Sequence, residues 1–176
     1  WNWMLGNWER VHRAGGVTEH DRIFFAFSFG PFLGFWTAFE SAVRIGALVI
    51  PGGGMSSAVR GQVMDQNACE VLCCTPTYAL HLAEVARREG RELRSIRLIV
   101  VAGEPGGSVP SVRQLISNAW FGARVFDHHG MTEVGPVTHE DTSTPGNLVV
   151  LDRSFLAEVI EPGGTALVPD GCEGEL

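Results

Sequence analysis

Between Arg22 and Phe126, short apolar runs of strand length alternate with segments of helical period. This alternation constrains the fold more than any other feature. Parallel strands need long crossover connections, and those are usually helices that cover the sheet. Residues 22–28, 47–50, 70–74, 97–102 and 123–126 read as strands. Residues 31–45, 56–67 and 109–119 read as helices, the last with Val112, Leu115, Ile116 and Ala119 on one face. A further helix is marked by Thr75 as its cap, Pro76 in its first turn and Gly90 at its end. The expected fold class is α/β, a parallel sheet flanked by helices on both faces. After Pro136 the pattern changes, and residues 147–151 and 155–160 read as antiparallel strands joined by turns, a short antiparallel β segment at the C-terminal end. Another strand is expected to start at Gly174-Glu175-Leu176.

Composition removes several function classes. Hydrophobic residues make up 45% and charged residues 19%, a globular balance rather than that of a disordered chain. Thirteen basic against 20 acidic residues give a net charge of −7, and none of the basic residues is lysine. A nucleic-acid partner is therefore not expected. An anionic ligand would have to be held by backbone N–H groups, a metal, or residues outside this chain. The uncharged run from Ile23 to Phe39 is shorter than the about 20 residues of a membrane span and is broken by Gly30, Pro31 and Gly34. No membrane association is expected. Cys69, Cys73, Cys74 and Cys172 form no CxxC pair and read as buried thiols in a reducing compartment, so the cytoplasm is the expected location. The chain begins at Trp1 and is read as a fragment.

In open parallel sheets, ligands bind beyond the carboxyl ends of the strands. Two glycine-rich loops lie at such ends: Gly103-Glu104-Pro105-Gly106-Gly107-Ser108 and Asp127-His128-His129-Gly130-Met131-Thr132-Glu133. In the second, Thr132 offers a hydroxyl to a phosphate oxygen, Glu133 a hard oxygen to Mg²⁺, and His129 a flat ring for stacking. The same residues also suit a capped turn in which Thr132 and Glu133 start a helix. The first loop could be a dinucleotide fingerprint, but its spacing is GxxGG and it contains Pro105. The six histidines read as surface or stacked rings, because no HxxxH or CxxC spacing supports a metal site. The dense aromatic stretch from Phe24 to Phe39 reads mostly as core. Its strand-to-helix turn, with Phe29, Gly30 and Phe32, lies at a strand's carboxyl end and is a candidate wall of an apolar substrate pocket.

The stretch from Gly103-Glu104-Pro105 through Gly130-Met131-Thr132-Glu133 to Pro136 resembles the phenylacetate–CoA ligase family of the adenylate-forming superfamily. Val159-Ile160-Glu161-Pro162 and Gly174-Glu175-Leu176 extend the resemblance over nearly the whole chain. It implies an AMP-forming ligase. A carboxylate attacks the α-phosphate of ATP to give an acyl-adenylate and pyrophosphate, and the CoA thiol then displaces AMP. ATP/AMP, Mg²⁺ and coenzyme A would be the cofactors and co-substrates, phenylacetate or another aryl acid the substrate, and a homodimer the candidate assembly.

Carried over by position, Glu133 would hold Mg²⁺ and Thr132 a phosphate. Gly103, Glu104 and Pro105 would line the adenine and acyl pocket. Asp127, His128, His129, Gly130 and Met131 would form the rest of the nucleotide site. Residues 1–136 would be part of the nucleotide-binding α/β subdomain and 137–176 the start of a β-rich one. The family's ring before the glycine is usually Tyr, where this chain has His129. Its Ser/Thr/Gly phosphate loop, ribose-binding aspartate and catalytic-lysine domain are expected outside this chain, which alone should be inactive. No zinc site is expected. Two other readings compete: a non-catalytic nucleotide-binding or interaction module of the same fold, and an NAD-binding oxidoreductase.

Overall fold

The computed structural model describes all residues, 1–176. Its centre is a five-stranded, wholly parallel sheet of β1 (Arg22–Phe25), β2 (Leu48–Pro51), β3 (Val71–Cys74), β4 (Leu98–Val101) and β5 (Arg124–Asp127), in the order β2-β1-β3-β4-β5. The expected α/β class with an antiparallel segment near the C-terminus is what the chain forms. Side chains alternate between two cores. Phe24, Leu72, Ile99 and Val125 face α3 (Ser57–Gln66), α4 (Pro76–Arg88) and α5 (Pro110–Ala119). Ile23, Phe25, Val71, Cys73, Leu98, Val100 and Phe126 face α1 (Asn2–Ala14) and α2 (Leu33–Ile45). β3 and β4 are buried at every residue, which is why they read as unbroken apolar runs.

Helix ends follow local chemistry. The Thr75 hydroxyl accepts the Tyr78 N–H and Pro76 opens α4. Ser56 caps α3 in the same way. α2 ends at Gly46 in the left-handed region, φ 98°. The first strand stops at Phe25 instead of residue 28, because the chain turns away through Phe29 at φ 54°.

One helix was not expected from the sequence, and three expectations need correction. The helix α1 has no clear sequence signal of its own, since it lacks a side-chain cap and contains Gly6 and a buried Asn7; Leu5, Asn7, Trp8, Val11 and His12 form its buried stripe. On α5, Leu115 and Ala119 are exposed, and burial runs through Val112, Ile116 and Trp120. The antiparallel partner of β9 (Leu148–Val150) is β8 (Thr138–Glu140), not residues 155–160, which form only an isolated bridge at Ile160 to Leu167 and Glu175. β8 escapes a hydropathy reading because its buried side chains, Thr138 and Glu140, are polar. Cys69, Cys73 and Cys74 are buried free thiols, but Cys172 is exposed. No helix is long and apolar enough to cross a membrane.

Two histidines are buried rather than at the surface. The His12 ring Nε2 lies 3.1 Å from the Ala38 carbonyl, and His128 packs edge-on against Trp8 at 4.6 Å. Burial pushes His12 down to about 4 and His128 to about 3. Both rings are thus neutral in the fold, whereas the unfolded chain protonates them below about 6.5. Their contribution to stability is complete above pH 6.5 and is lost as pH falls towards 4. Each histidine should add about 1.4 kcal/mol per pH unit to that decline. Denaturant unfolding followed between pH 7 and 4.5 should show it, and His12→Gln should remove about half of the slope. A flat profile would mean that the rings are not held neutral.

Candidate functional site

The strand order reverses direction between β1 and β3, since the chain leaves β1 for β2 on one side and returns to β3 on the other. Such a switch point opens a crevice outside the carboxyl ends of the strands. A cavity of about 310 Å³ occupies it. Phe27 after β1, Thr75 after β3, Ala102 and Gly103 after β4, and His128 after β5 converge on it. Trp8 of α1 and Gly34, Phe35 and Ala38 of α2 close its apolar side, where Phe27 and Phe35 stack at 4.3 Å with 9° between their planes. A larger cleft of about 660 Å³ lies between α4 and α5 beside Gly90 and Phe121. It sits at the amino edge of the sheet, away from both glycine-rich loops, and is not where a parallel sheet places its ligand.

The first glycine-rich loop is fixed at both ends. The Glu104 carboxylate accepts the Thr77 N–H and hydroxyl, each at 2.6 Å, so it serves as a second cap for α4; the Thr77 bond holds its carboxyl below the usual range. Gly106 lies where a Cβ would come within 2.6 Å of Pro76, and Gly107 where one would come within 2.5 Å of both Asp127 and Val101. The Ser108 hydroxyl donates to Asp127 at 2.7 Å. Burial raises the Asp127 carboxyl, and the Ser108 bond opposes that rise.

Behind these loops is a buried ion pair. The Arg113 guanidinium of α5 grips Glu140 of β8 with both terminal nitrogens, at 2.5 and 2.6 Å, and also donates to the carbonyls of Gly107 and Val125. Glu140 in turn accepts the Asp127 backbone N–H at 3.2 Å.

The second loop is a small hairpin. β6 (Gly130–Met131) pairs antiparallel with β7 (Gly135–Pro136), and residues 132–134 form its turn. Thr132 and Glu133 therefore do not start a helix. A Cβ on Gly130 would fall 2.6 Å from the Gly135 carbonyl, so the two arms require glycine there. The His129 N–H donates to the Thr138 hydroxyl, and the His129 carbonyl accepts from Val137 and Thr138.

Of the residues singled out from sequence, Gly103, His128, Gly130, Met131 and Thr132 line the cavity together. Glu104, Pro105, Asp127, His129 and Glu133 flank those lining positions in the chain, with Asp127 buried and His129 and Glu133 exposed. Phe29, Gly30 and Phe32 are not brought to it: Phe29 is buried against Trp36 and Phe39, and Gly30 and Phe32 are exposed. Phe27 and Phe35, two and six residues to either side of Phe29, take the wall instead. Trp8, Arg113 and Glu140 had no sequence signal beyond a bulky or charged residue within an otherwise ordinary helix or strand.

A profile of the AMP-binding enzyme family matches residues 2–176. The chain is 29% identical over 171 residues to the phenylacetate-coenzyme A ligase of Pseudomonas putida, covering 95% of this chain and 38% of that protein. It is 30% identical over 181 residues to the phenylacetate-coenzyme A ligase of Escherichia coli (strain K12), covering 98% and 41%. Among solved structures, an open conformation of 2-hydroxyisobutyryl-CoA ligase in complex with 2-HIB-AMP and CoA superposes with a TM-score of 0.89 at 30% identity, over 98% of this chain and 42% of that one. An anthranilate CoA ligase in complex with anthranoyl-AMP shares the fold, with a TM-score of 0.72 at 19% identity, over 98% and 34%. The chain spans about two-fifths of the length of the curated relatives it matches.

The packing at Gly107 gives a direct test of this architecture. Gly107→Ala would press a methyl group on Asp127 and Val101. It should destabilise the fold by about 1–3 kcal/mol, the usual cost of overpacking, read from the midpoint of denaturant unfolding. A neutral result would mean that the loop does not sit down on β4 and β5 as described.

Proposed function

The chain belongs to the AMP-binding enzyme family, and we propose that it serves an AMP-forming acid–CoA ligase. That enzyme would activate a carboxylic acid with ATP and pass the acyl group to coenzyme A. One observation carries the reading: a cavity at the β1/β3 switch point is lined by residues of two glycine-rich loops and by aromatic rings. In this reading Gly103, Glu104 and Pro105, with Asp127, His128 and His129, frame the adenylate, and Thr132 binds a phosphate oxygen. The acid carboxylate attacks the α-phosphorus and pyrophosphate leaves; the CoA sulfur then attacks the acyl carbon and AMP leaves. The protein contributes position and charge compensation rather than a nucleophile.

Magnesium would enter with ATP as part of that substrate. Glu133 is exposed and is the only carboxylate of the 130–136 hairpin. No three His, Cys, Asp or Glu side chains converge anywhere in the chain. A lone carboxylate fits an ion that takes most of its ligands from phosphate and water.

Phenylacetate or another aryl acid is the proposed substrate. The Phe27–Phe35 stack and Trp8 offer an apolar wall, and the chain is 29–30% identical to relatives named phenylacetate-coenzyme A ligase. Burying an aromatic ring is worth about 1.5–3 kcal/mol, roughly a ten- to hundredfold preference. Pyrophosphate release by the full-length protein should therefore show a kcat/KM for phenylacetate at least about tenfold above that for acetate. Equal values would remove the aryl substrate from the reading. No release with any acid, alongside tight nucleotide binding, would favour a non-catalytic nucleotide module.

Glu133→Gln tests the charge compensation. Adenylation should fall on the order of 10²-fold, about 2.7 kcal/mol, because the leaving pyrophosphate loses its anchored counter-ion. Thioester formation from pre-made acyl-adenylate should change much less, since it involves no triphosphate. Equal losses in both half-reactions would place Glu133 outside the metal's coordination.

A further inference from the structure

We propose that Arg113 and Glu140 are a positioning pair that holds the two nucleotide-facing loops at a fixed spacing, an inference that rests on the ligase reading above. Their hydrogen bonds close a ring. Arg113 Nη1 donates to the Gly107 carbonyl at 2.8 Å and to Glu140 Oε2 at 2.5 Å, and Nη2 donates to Glu140 Oε1 at 2.6 Å. Glu140 Oε2 accepts the Asp127 N–H at 3.2 Å. The Asp127 carboxylate accepts the Ser108 hydroxyl at 2.7 Å, which returns the ring to the residue after Gly107. The ring therefore ties the exit of β4 to the exit of β5 through one side chain from α5 and one from β8.

Arg113 and Glu140 do not line the cavity. They touch no position proposed for a substrate except Asp127, and that contact is through its backbone. They act through the loops, so they are positioning rather than catalytic residues. Stability alone does not account for them. Glu140 is 2% exposed and the Arg113 side chain 18%, and an ion pair so far from water gains little over apolar packing of the same volume. The planar fork does supply geometry that apolar side chains cannot. It meets both carboxylate oxygens at once and still has hydrogens for the carbonyls of Gly107 and Val125. Misplacing a loop by about 1 Å can cost on the order of 10²-fold in rate.

Arg113→Lys in the full-length protein keeps the charge and removes the fork. The KM for ATP should rise about tenfold or more and adenylation kcat should fall towards 10²-fold, while the KM for the acid stays within about threefold. In the nucleotide-free protein, hydrogen exchange should quicken at Asp127 and at residues 106–108 but not in β1 or β3. ATP and acid parameters that decline together, in step with a lowered Tm and uniformly faster exchange, would reduce the pair to a stabilising contact and overturn the proposal. If Arg113→Lys does not fold, Glu140→Gln gives the same readouts with the side chain's shape preserved. If the unaltered protein adenylates no acid, the ligase reading fails by itself. The exchange pattern then still decides: quickening confined to the two loops supports the positioning role, and uniform quickening refutes it.

Discussion

Burial of the parallel sheet on both faces governs this structure. With α1 and α2 on one side and α3, α4 and α5 on the other, every residue of β3 and β4 is buried. Nothing on either face can reach a ligand, so binding groups are displaced to the strand ends. The connection from β2 to β3 passes over β1, and this jump separates the loops after β1 and β3 into a crevice. The glycines follow from the same constraint. Gly106, Gly107 and Gly130 lie where backbone presses on Pro76, on Asp127 and Val101, and on the Gly135 carbonyl, because loops leaving adjacent strands at one edge must share a narrow space.

Charge is deployed sparingly at that edge. The chain carries −7 and no lysine. Two arginines that reach inward are already engaged. Arg60 donates to the carbonyls of Gly52 and Ala26, and Arg113 pairs with Glu140 and donates to the carbonyls of Gly107 and Val125. These guanidiniums fix backbone instead of waiting for an anion. On the proposed reading, the negative charge of a triphosphate meets backbone N–H groups, a hydroxyl at Thr132 and a metal that arrives with it, which suits a reaction whose catalysis is mostly placement.

What was legible in the sequence follows from the kind of signal each element leaves. Strands buried on both sides leave unbroken apolar runs, so β3 and β4 were placed to within two residues. The capped helix α4 was legible because Thr75 and Pro76 announce its start chemically. α1 was not, since its Trp and His contacts are made across the chain and its first turn has no cap. β8 was missed because its inward residues are Thr138 and Glu140, which are buried only because His129, Asp127 and Arg113 supply their hydrogen bonds. The two glycine-rich loops were visible as motifs. The aromatic wall was not legible residue by residue, because the chain turns at Phe29, at positive φ, between the two rings that line the cavity, Phe27 and Phe35. Periodicity cannot register such a turn.

The helix that left no sequence signal turns out to close the site. Trp8 lies between the buried rings of His12 and His128, 5.5 and 4.6 Å from their centres, and itself lines the cavity. His128 directly follows Asp127, whose N–H and carboxylate are held by Glu140 and Ser108. The loop after β5 is therefore gripped on one side by an ion pair and on the other by an aromatic contact with α1. Both grips depend on groups kept from water: Glu140 by its pairing with Arg113, His128 by remaining neutral. The width of the cavity is set where these contacts meet, so core packing on the α1 face and the geometry of the candidate site are one mechanical system.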